Sequence, residues 1–186
     1  MSRIKVISYE ESQGRLKEVY DDLIKSRGML ADVHMIQSLR PESIVKHMDL
    51  YMEIMFSRSE LSRADREMIA VVVSVANKCD YCQTHHGEAL NNYWKDKKKL
   101  EEFKAGYSKV GLAEKQIALC DYASKMTLHP GEAVEKDVVA PLKKNGYSDE
   151  AILDASLVVS YFNFVNRMVL GLGVHLENHA GAGFKY

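Results

Sequence analysis

Apolar residues recur at the three- and four-residue spacing of amphipathic helices over most of this chain, after a short extended piece at residues 4–7. Cap residues such as Ser62 and Ser148 mark helix starts, and glycines such as Gly28 and Gly106 mark ends. The pattern predicts helices at about 9–25, 31–39, 41–56, 62–76, 79–93, 96–105, 113–128, 132–144 and 148–170. We therefore expect a helical protein.

The last of these helices differs from the others, because residues 151–170 are apolar nearly all round. Such a helix is expected to be buried on most sides, in the core or against a neighbouring subunit, and it favours self-association. Asn163, Asn166 and Arg167 lie within it and need partners, so we expect hydrogen bonds across a helix junction or an interface. The closing segment 175–186, with Gly181 and Gly183, is expected to be irregular and to pack on a partner chain or fray.

The length and the charge of the chain limit its domain organisation and its expected partners. The 186 residues suit a single domain over 1–186, in which about the first 40 form a helical arm that packs on the core. With 25 basic and 26 acidic residues, the net charge of -1 provides no field to attract nucleic acid or an anionic membrane. Uninterrupted apolar runs are short, and no signal-peptide core or Gly-rich phosphate loop is present. We expect a soluble, cytoplasmic protein without nucleic-acid or membrane partners.

Chemistry-bearing residues concentrate in residues 61–90. Cys79 and Cys82 form a C-x-x-C pair, His86 follows four residues later, and Glu67 precedes Cys79 by twelve. A helix start near Cys79 would stabilise a thiolate, and this argument favours Cys82 as the nucleophile. Residues four apart share a helix face, so His86 can accept the thiol proton of Cys82.

Glu67 can reach this pair only if the chain reverses near Asn77 and Lys78. One continuous helix would hold Glu67 about 18 Å from Cys79, at 1.5 Å per residue. A hairpin with its turn near residue 78 would bring Glu67 and His86 to similar depths on facing helices. Glu67 could then orient His86 or relay protons.

The run Glu67, eleven residues, Cys79-x-x-Cys82, three residues, His86 resembles the signature of the alkyl hydroperoxidase D and carboxymuconolactone decarboxylase superfamily. The stretches ANKCDYCQTHHGEAL and YFNFVNRMVLGLGVHLE look like its peroxidase-related, alkylhydroperoxidase-like branch. The resemblance covers nearly the whole chain. It implies an all-α bundle with the C-x-x-C at the start of a central helix, and a homo-oligomer (dimer, trimer or hexamer).

The resemblance also implies thiol peroxidase or disulfide reductase chemistry. Cys82 would be the peroxidatic cysteine, Cys79 the resolving one, and Glu67 with His86 the proton relay. A hydroperoxide would be the substrate and a dithiol the reductant, without a bound organic cofactor or metal. The founding peroxidase has a histidine before its second motif cysteine where this chain has Tyr81, and a phenol with a pKa near 10 cannot replace that histidine near neutral pH. The decarboxylase branch generally lacks the cysteine pair, so its reaction matches this chain poorly.

Three alternatives stay open. The chain could be a disulfide reductase or redox sensor with little peroxidase activity, a non-catalytic binding module, or a zinc module in which Cys79, Cys82 and His85 or His86 bind the metal. His85 lies about 100° from His86 around the helix, so we expect it at a surface, rim or interface. Tyr81 and His85 are candidates for residues that contact and support the motif side chains without reacting themselves.

The remaining chemistry-bearing residues are expected to be structural. Cys120 follows a helical apolar pattern and is interpreted as a core thiol. For the other histidines, packing or exposure is expected: His34, His47, His129, His175 and His179.

Overall fold

A computed structural model describes residues 2–177, and within them the chain forms nine α-helices, two short 3-10 helices and no strand. The α-helices are α1 Gly14–Arg27, α2 Asp32–Met35, α3 Pro41–Phe56, α4 Arg63–Ala76, α5 Asp80–Trp94, α6 Lys97–Ala105, α7 Glu114–Leu128, α8 Ala140–Lys144 and α9 Asp149–Leu172. The 3-10 helices are Tyr107–Lys109 and Pro130–Val134. The predicted all-α fold is confirmed.

Helices α4 and α5 form an antiparallel hairpin at the centre of the fold. The Ser62 hydroxyl accepts the backbone N–H of Asp65, whose carboxylate accepts the N–H of Ser62, so α4 begins with a complete capping box. The helix ends at Ala76, Lys78 turns the chain with a φ of 57°, and Cys79 is the N-cap of α5. Both the turn and the position of the cysteine at a helix start agree with the prediction.

Helices α7 and α9 pack on α4 and complete the main core. Polar side chains tie them together, because Asn77 donates to the side-chain oxygens of Asn163 (3.0 Å) and Asn166 (3.1 Å), and Asn163 donates to Thr127 (3.0 Å). The expected hydrogen bonds across a helix junction are therefore present, between the end of α4, α7 and α9.

Helix α9 is only partly covered by this chain. By length and composition it could cross a membrane, but 44% of its most apolar stretch is buried and it packs against α3, α4 and α7 as a core helix. Leu153, Leu157 and Phe164 are exposed, and their spacing places them on one face. The expected homo-oligomer stays a prediction, and this exposed face is where it would form.

The N-terminal region builds a second, smaller core from α1 and α3, centred on Tyr20 and Ile44. The predicted start of α1 after Ser8 is wrong: Ser8 caps a single turn by accepting the N–H of Glu11, and the helix begins at Gly14. Gly14 has a φ of 52°, which interrupts any helix that would run through it.

Two further predicted helices are shorter than expected. The predicted helix over 31–39 is reduced to the single turn of α2. The one over 132–144 divides into the 3-10 helix Pro130–Val134 and α8, because Pro141 lacks the N–H that a helix running through it would need and is tolerated only in a first helical turn, where α8 begins. Asp137 instead accepts the N–H groups of Val139 and Ala140 ahead of α8. The irregular ending predicted at Gly181 and Gly183 lies outside the described residues.

Glu177, which follows α9, connects three distant parts of the fold. Its carboxylate accepts the hydroxyl of Tyr81 at 2.6 Å, the backbone N–H of Asp32 at 2.9 Å, and Nε2 of His85 at 2.8 Å. Burial alone would raise the pKa of Glu177, but the hydrogen bonds from His85, Tyr81 and Asp32 outweigh it and lower the pKa to about 2. This carboxylate therefore fastens α2 to the start of α5.

Glu177→Gln tests this connection through the pH dependence of stability. Because the folded pKa lies below the ordinary value of 4.5, the carboxylate contributes stability that is complete above pH 4.5 and lost as the pH falls towards 2. We expect the variant to unfold with a free energy about 2 kcal/mol lower at pH 7, and the difference to shrink steadily below pH 4.5. Urea unfolding between pH 3 and 7 measures both, with the exposed Glu53→Gln as control. A difference independent of pH would contradict the ionic origin.

Candidate active site

A cavity opens beside the start of α5, between α2, α3 and α9. Its volume, counted as the space that the centre of a water molecule can occupy, is about 70 Å³. Of the residues singled out in the sequence, Tyr81, Cys82, His85 and His86 line it. Cys79 and Glu67 do not line it and are fully buried. All six residues of the predicted site therefore lie in or next to one region.

Glu67 and His86 meet across the helical hairpin. His86 Nδ1 lies 2.7 Å from one carboxylate oxygen of Glu67, and Arg63 donates to the other at 2.6 Å. Because Glu67 is 0% exposed, its charge depends on both partners. The hydrogen bond assigns the Nδ1 proton to the Glu67 side and leaves Nε2 as the basic nitrogen of the ring. Arg63, which precedes Glu67 by four residues, was not singled out in the sequence although its i, i+4 spacing from the carboxylate was visible.

The two cysteines are free thiols with opposite electrostatic character. The pKa of Cys79 is lowered, first because the Cys82 thiol donates a hydrogen bond to its sulfur, and further by the backbone N–H of Cys82, against burial. The pKa of Cys82 is raised well above its usual value, because this thiol is the donor to Cys79 and because it is buried. The expectation that the helix start favours a thiolate at Cys82 is therefore wrong. Cys79 is the N-cap residue of α5, and of the N–H groups at the helix start it is that of Cys82 that helps to lower its pKa.

Cys82, which has the higher pKa of the two cysteines, is the one that a ligand can reach. Cys82 is 2% exposed but borders the cavity, whereas Cys79 is 0% exposed and lies behind it. In the reduced pair, Cys79 therefore carries the more acidic sulfur and Cys82 the sulfur that a ligand can reach.

Asn166 is a polar neighbour of Cys82 that the sequence analysis assigned to hydrogen bonds across a helix junction or an interface. Its side chain is 0% exposed, donates to Ser74 at 3.3 Å, and forms a hydrogen bond with the Cys82 sulfur that lowers the pKa of that thiol. The interpretation of Asn166 as a helix-junction residue is thus incomplete. Its place within an otherwise apolar helix was the only local signal.

Tyr81 and His85 form the wall of the cavity next to Glu177. His85 was expected at a surface, rim or interface, but it is buried, because α2 and Glu177 cover that side of α5. Burial and the neighbouring Glu177 carboxylate raise the pKa of Tyr81, whose hydroxyl donates to Glu177. Tyr81 therefore stays protonated at neutral pH, as its pKa near 10 predicted.

The opposite wall holds two histidines that were expected to be ordinary packing or exposed residues. His47 contacts Gln37 through Nδ1 (2.7 Å) and the Tyr161 hydroxyl through Nε2 (2.6 Å), and burial lowers its pKa to about 4. Burial, followed by His47 and Arg27, lowers the pKa of His34 to about 3. Both rings are neutral at pH 7 and both line the cavity. Each histidine lies far from the cysteines in sequence, so local spacing carried no signal.

The remaining predictions concern residues away from the cavity. Cys120 is fully buried, and burial raises the pKa of its thiol, in agreement with a core cysteine. His129 is exposed, as expected. His179 lies outside the described residues. Within residues 2–177, no group of three or more His, Cys, Asp and Glu side chains could hold a metal ion, so the zinc set of Cys79, Cys82 and a histidine is not assembled there.

Comparison with known proteins agrees with this arrangement. The model of the Carboxymuconolactone decarboxylase family matches residues 44–103, which include the hairpin and the cysteine pair. The fold is similar to the alkylhydroperoxidase AhpD core of an uncharacterized peroxidase-related protein from Ralstonia eutropha JMP134, with a TM-score of 0.84 and 24% identity over 97% of this chain and 94% of that one.

Two further solved structures are similar over their whole length. An uncharacterized peroxidase-related protein from Silicibacter sp. TM1040 has a TM-score of 0.81 and 27% identity, over 98% of this chain and 93% of that one. The debrominase Bmp8, in complex with 2,3,4-tribromopyrrole, has a TM-score of 0.79 and 17% identity, over 98% of this chain and 97% of that one. The family match over residues 44–103, the shared all-α fold and the motif that α4 and α5 assemble make this chain similar to members of the alkyl hydroperoxidase D and carboxymuconolactone decarboxylase superfamily.

Proposed function

We propose that this protein is a thiol-dependent oxidoreductase that reduces hydroperoxides through Cys82 and Cys79, with His86 and Glu67 as the proton relay. The observation that carries this proposal is the division of roles in the cysteine pair, in which one sulfur borders the cavity and the other is the more acidic. The similarity to peroxidase-related proteins supports the same class of reaction.

The reaction begins when Cys82 loses its proton and attacks the terminal oxygen of the hydroperoxide. The O–O bond breaks as the S–O bond forms, which leaves a sulfenic acid on Cys82 and an alkoxide that takes a proton to become the alcohol. Nε2 of His86, which faces away from Glu67, is the nitrogen that can receive the thiol proton and return one to the alkoxide.

Cys79 completes the chemistry on the protein. Its thiolate attacks the Cys82 sulfenic sulfur, the S–S bond forms, and hydroxide leaves as water with a proton from the relay. The lowered pKa of Cys79 suits this second step, because the attacking sulfur must be deprotonated. A small external dithiol then reduces the disulfide and returns both thiols.

Burial argues against the alternative of a protein disulfide reductase. A disulfide on another protein must touch the attacking sulfur, yet Cys82 is 2% exposed and meets solvent only through the cavity. A small organic substrate and a small dithiol fit this access.

Two cysteine variants separate the steps of the proposed reaction. With tert-butyl hydroperoxide and dithiothreitol, Cys82→Ser is expected to lose turnover completely, because it has no sulfur at the cavity. Cys79→Ser is expected to consume one equivalent of peroxide and to stop as a sulfenic acid, which dimedone traps and mass spectrometry detects. Cys120→Ser, which changes a core thiol, is the control and should turn over normally. Unchanged turnover in Cys82→Ser would refute the proposal.

A double-mutant cycle tests the relay. Glu67→Gln and His86→Gln are each expected to lower kcat about a hundredfold, and the double variant should be no slower than either one, since both residues act through one nitrogen. The exposed His129→Gln serves as control, and thermal unfolding checks that each variant is folded. Losses that multiply in the double variant would show that the two residues act independently.

A second candidate function is reductive dehalogenation of an aromatic ring. Tyr51, Tyr161 and Phe162 give the cavity aromatic walls, and the similar debrominase is known in complex with a brominated pyrrole. A dithiol supplies the two electrons that replace a carbon–halogen bond by carbon–hydrogen, with one disulfide and one hydrogen halide as products.

Bromide release distinguishes this candidate from the first. If it applies, the reduced protein should release bromide from 2,3,4-tribromopyrrole and form one Cys79–Cys82 disulfide for each bromide, and Cys82→Ser should release none. Peroxide turnover without bromide release would leave the peroxidase alone, and the reverse result would replace it.

A further inference from the structure

The cavity contains a polar atom that the proposed chemistry does not use. Nδ1 of His34 is buried and has no hydrogen-bond partner among the described residues, and His34 lines the same cavity as Cys82. A buried polar group without a partner is costly, because it has lost its hydrogen bonds to water and gained none in return. Such a group at a cavity wall is accounted for when a ligand supplies the missing partner.

The neighbouring histidine shows the contrast. Both ring nitrogens of His47 have partners on the protein, Gln37 and Tyr161. The two rings lie 5.8 Å apart, edge to face. One histidine of the pair is therefore held on both sides by the fold, while the other lines the cavity with one ring nitrogen unpaired.

The size of the cavity limits the ligand. Its 70 Å³ for water centres corresponds to about five waters at about 15 Å³ each, or about 150 Å³ of liquid. That volume accommodates a benzene-sized molecule. Most of a long-chain lipid hydroperoxide would lie outside this space.

The charges around the cavity indicate an uncharged ligand. His34 and His47 are neutral at pH 7, so they offer no cation to an acid. The guanidinium of Arg27, which also lines the cavity, lies over the rings of Tyr51 and Phe56, at 5.5 and 5.8 Å. The buried carboxylates of Glu67 and Glu177 contact lining residues and offset this positive charge. A cation would in turn have to leave water for a largely apolar wall that includes Val33, Met48 and Val165.

We propose that His34 is a substrate-binding residue whose Nδ1 pairs with the hydroxyl group of a compact, uncharged ligand about one six-membered ring in size. A hydroxyl fits because it both donates and accepts, so it can pair with Nδ1 in either neutral tautomer. This assignment names the substrate class for the oxidoreductase proposed above and rests on it for the reaction, but the binding step can be measured without turnover.

Phenol and toluene are the matched probes, because they share a ring and differ only by hydroxyl and methyl groups. Isothermal titration on the reduced protein, which neither probe oxidises, is expected to show phenol binding about fivefold more tightly, as one neutral hydrogen bond provides. In His34→Leu the preference should vanish or reverse, because the phenol hydroxyl would then be buried without a partner. His34→Asn, whose amide lies near the position of Nδ1, should recover part of it, and the exposed His129→Leu should keep all of it.

A structural role for His34 predicts a different result. If Nδ1 is paired only when a ligand is bound, ligand-free His34→Leu should unfold at the same temperature as the parent protein or higher, since the substitution removes an unpaired buried atom. Equal phenol-to-toluene ratios in the parent and His34→Leu would overturn the assignment, as would tighter binding of benzoate than of phenol, or no binding of either neutral probe at 10 mM. None of these outcomes depends on peroxide turnover, which Cys82→Ser tests separately.

Discussion

The fully buried carboxylate of Glu67 is the constraint on which this structure depends. Glu67 lies in the second turn of α4, where an unpaired buried charge would cost several kcal/mol. It is stabilised by Arg63 one turn earlier on the same helix and by His86 on the next helix. His86 can reach it only if α5 returns antiparallel at one particular depth, which the left-handed turn at Lys78 allows. The fold that pairs Glu67 with His86 therefore also places the cysteine pair next to the turn of the hairpin.

The cysteine pair separates acidity from access. Cys79 is the N-cap residue of α5, and hydrogen bonds from Cys82 lower its pKa, so negative charge is favoured on the sulfur that does not line the cavity. Cys82 borders the cavity and has a raised pKa, which a hydrogen bond from Asn166 partly offsets.

The walls of the cavity come from parts of the chain that are far apart in sequence. Glu177 fastens α2 against Tyr81 and His85, which brings His34 to the space in front of Cys82. Helix α9 supplies Tyr161 to hold His47 and Asn166 to contact the Cys82 sulfur. The motif residues are thus close together in sequence, while the rest of the cavity wall is assembled by tertiary contacts.

The sequence by itself determined the helices, the hairpin and the grouping of Glu67, Cys79, Cys82 and His86, because capping, periodicity and a short turn act within thirty residues. Its local predictions failed where one backbone feature interrupted a helical pattern, at Gly14 and at Pro141. Tertiary structure alone decided which histidines line the cavity and which groups Glu177 connects. Those properties depend on burial and on hydrogen bonds between residues 30 to 150 positions apart, such as Asp32 and Glu177. No local spacing along the chain records such contacts, so only the folded chain reveals them.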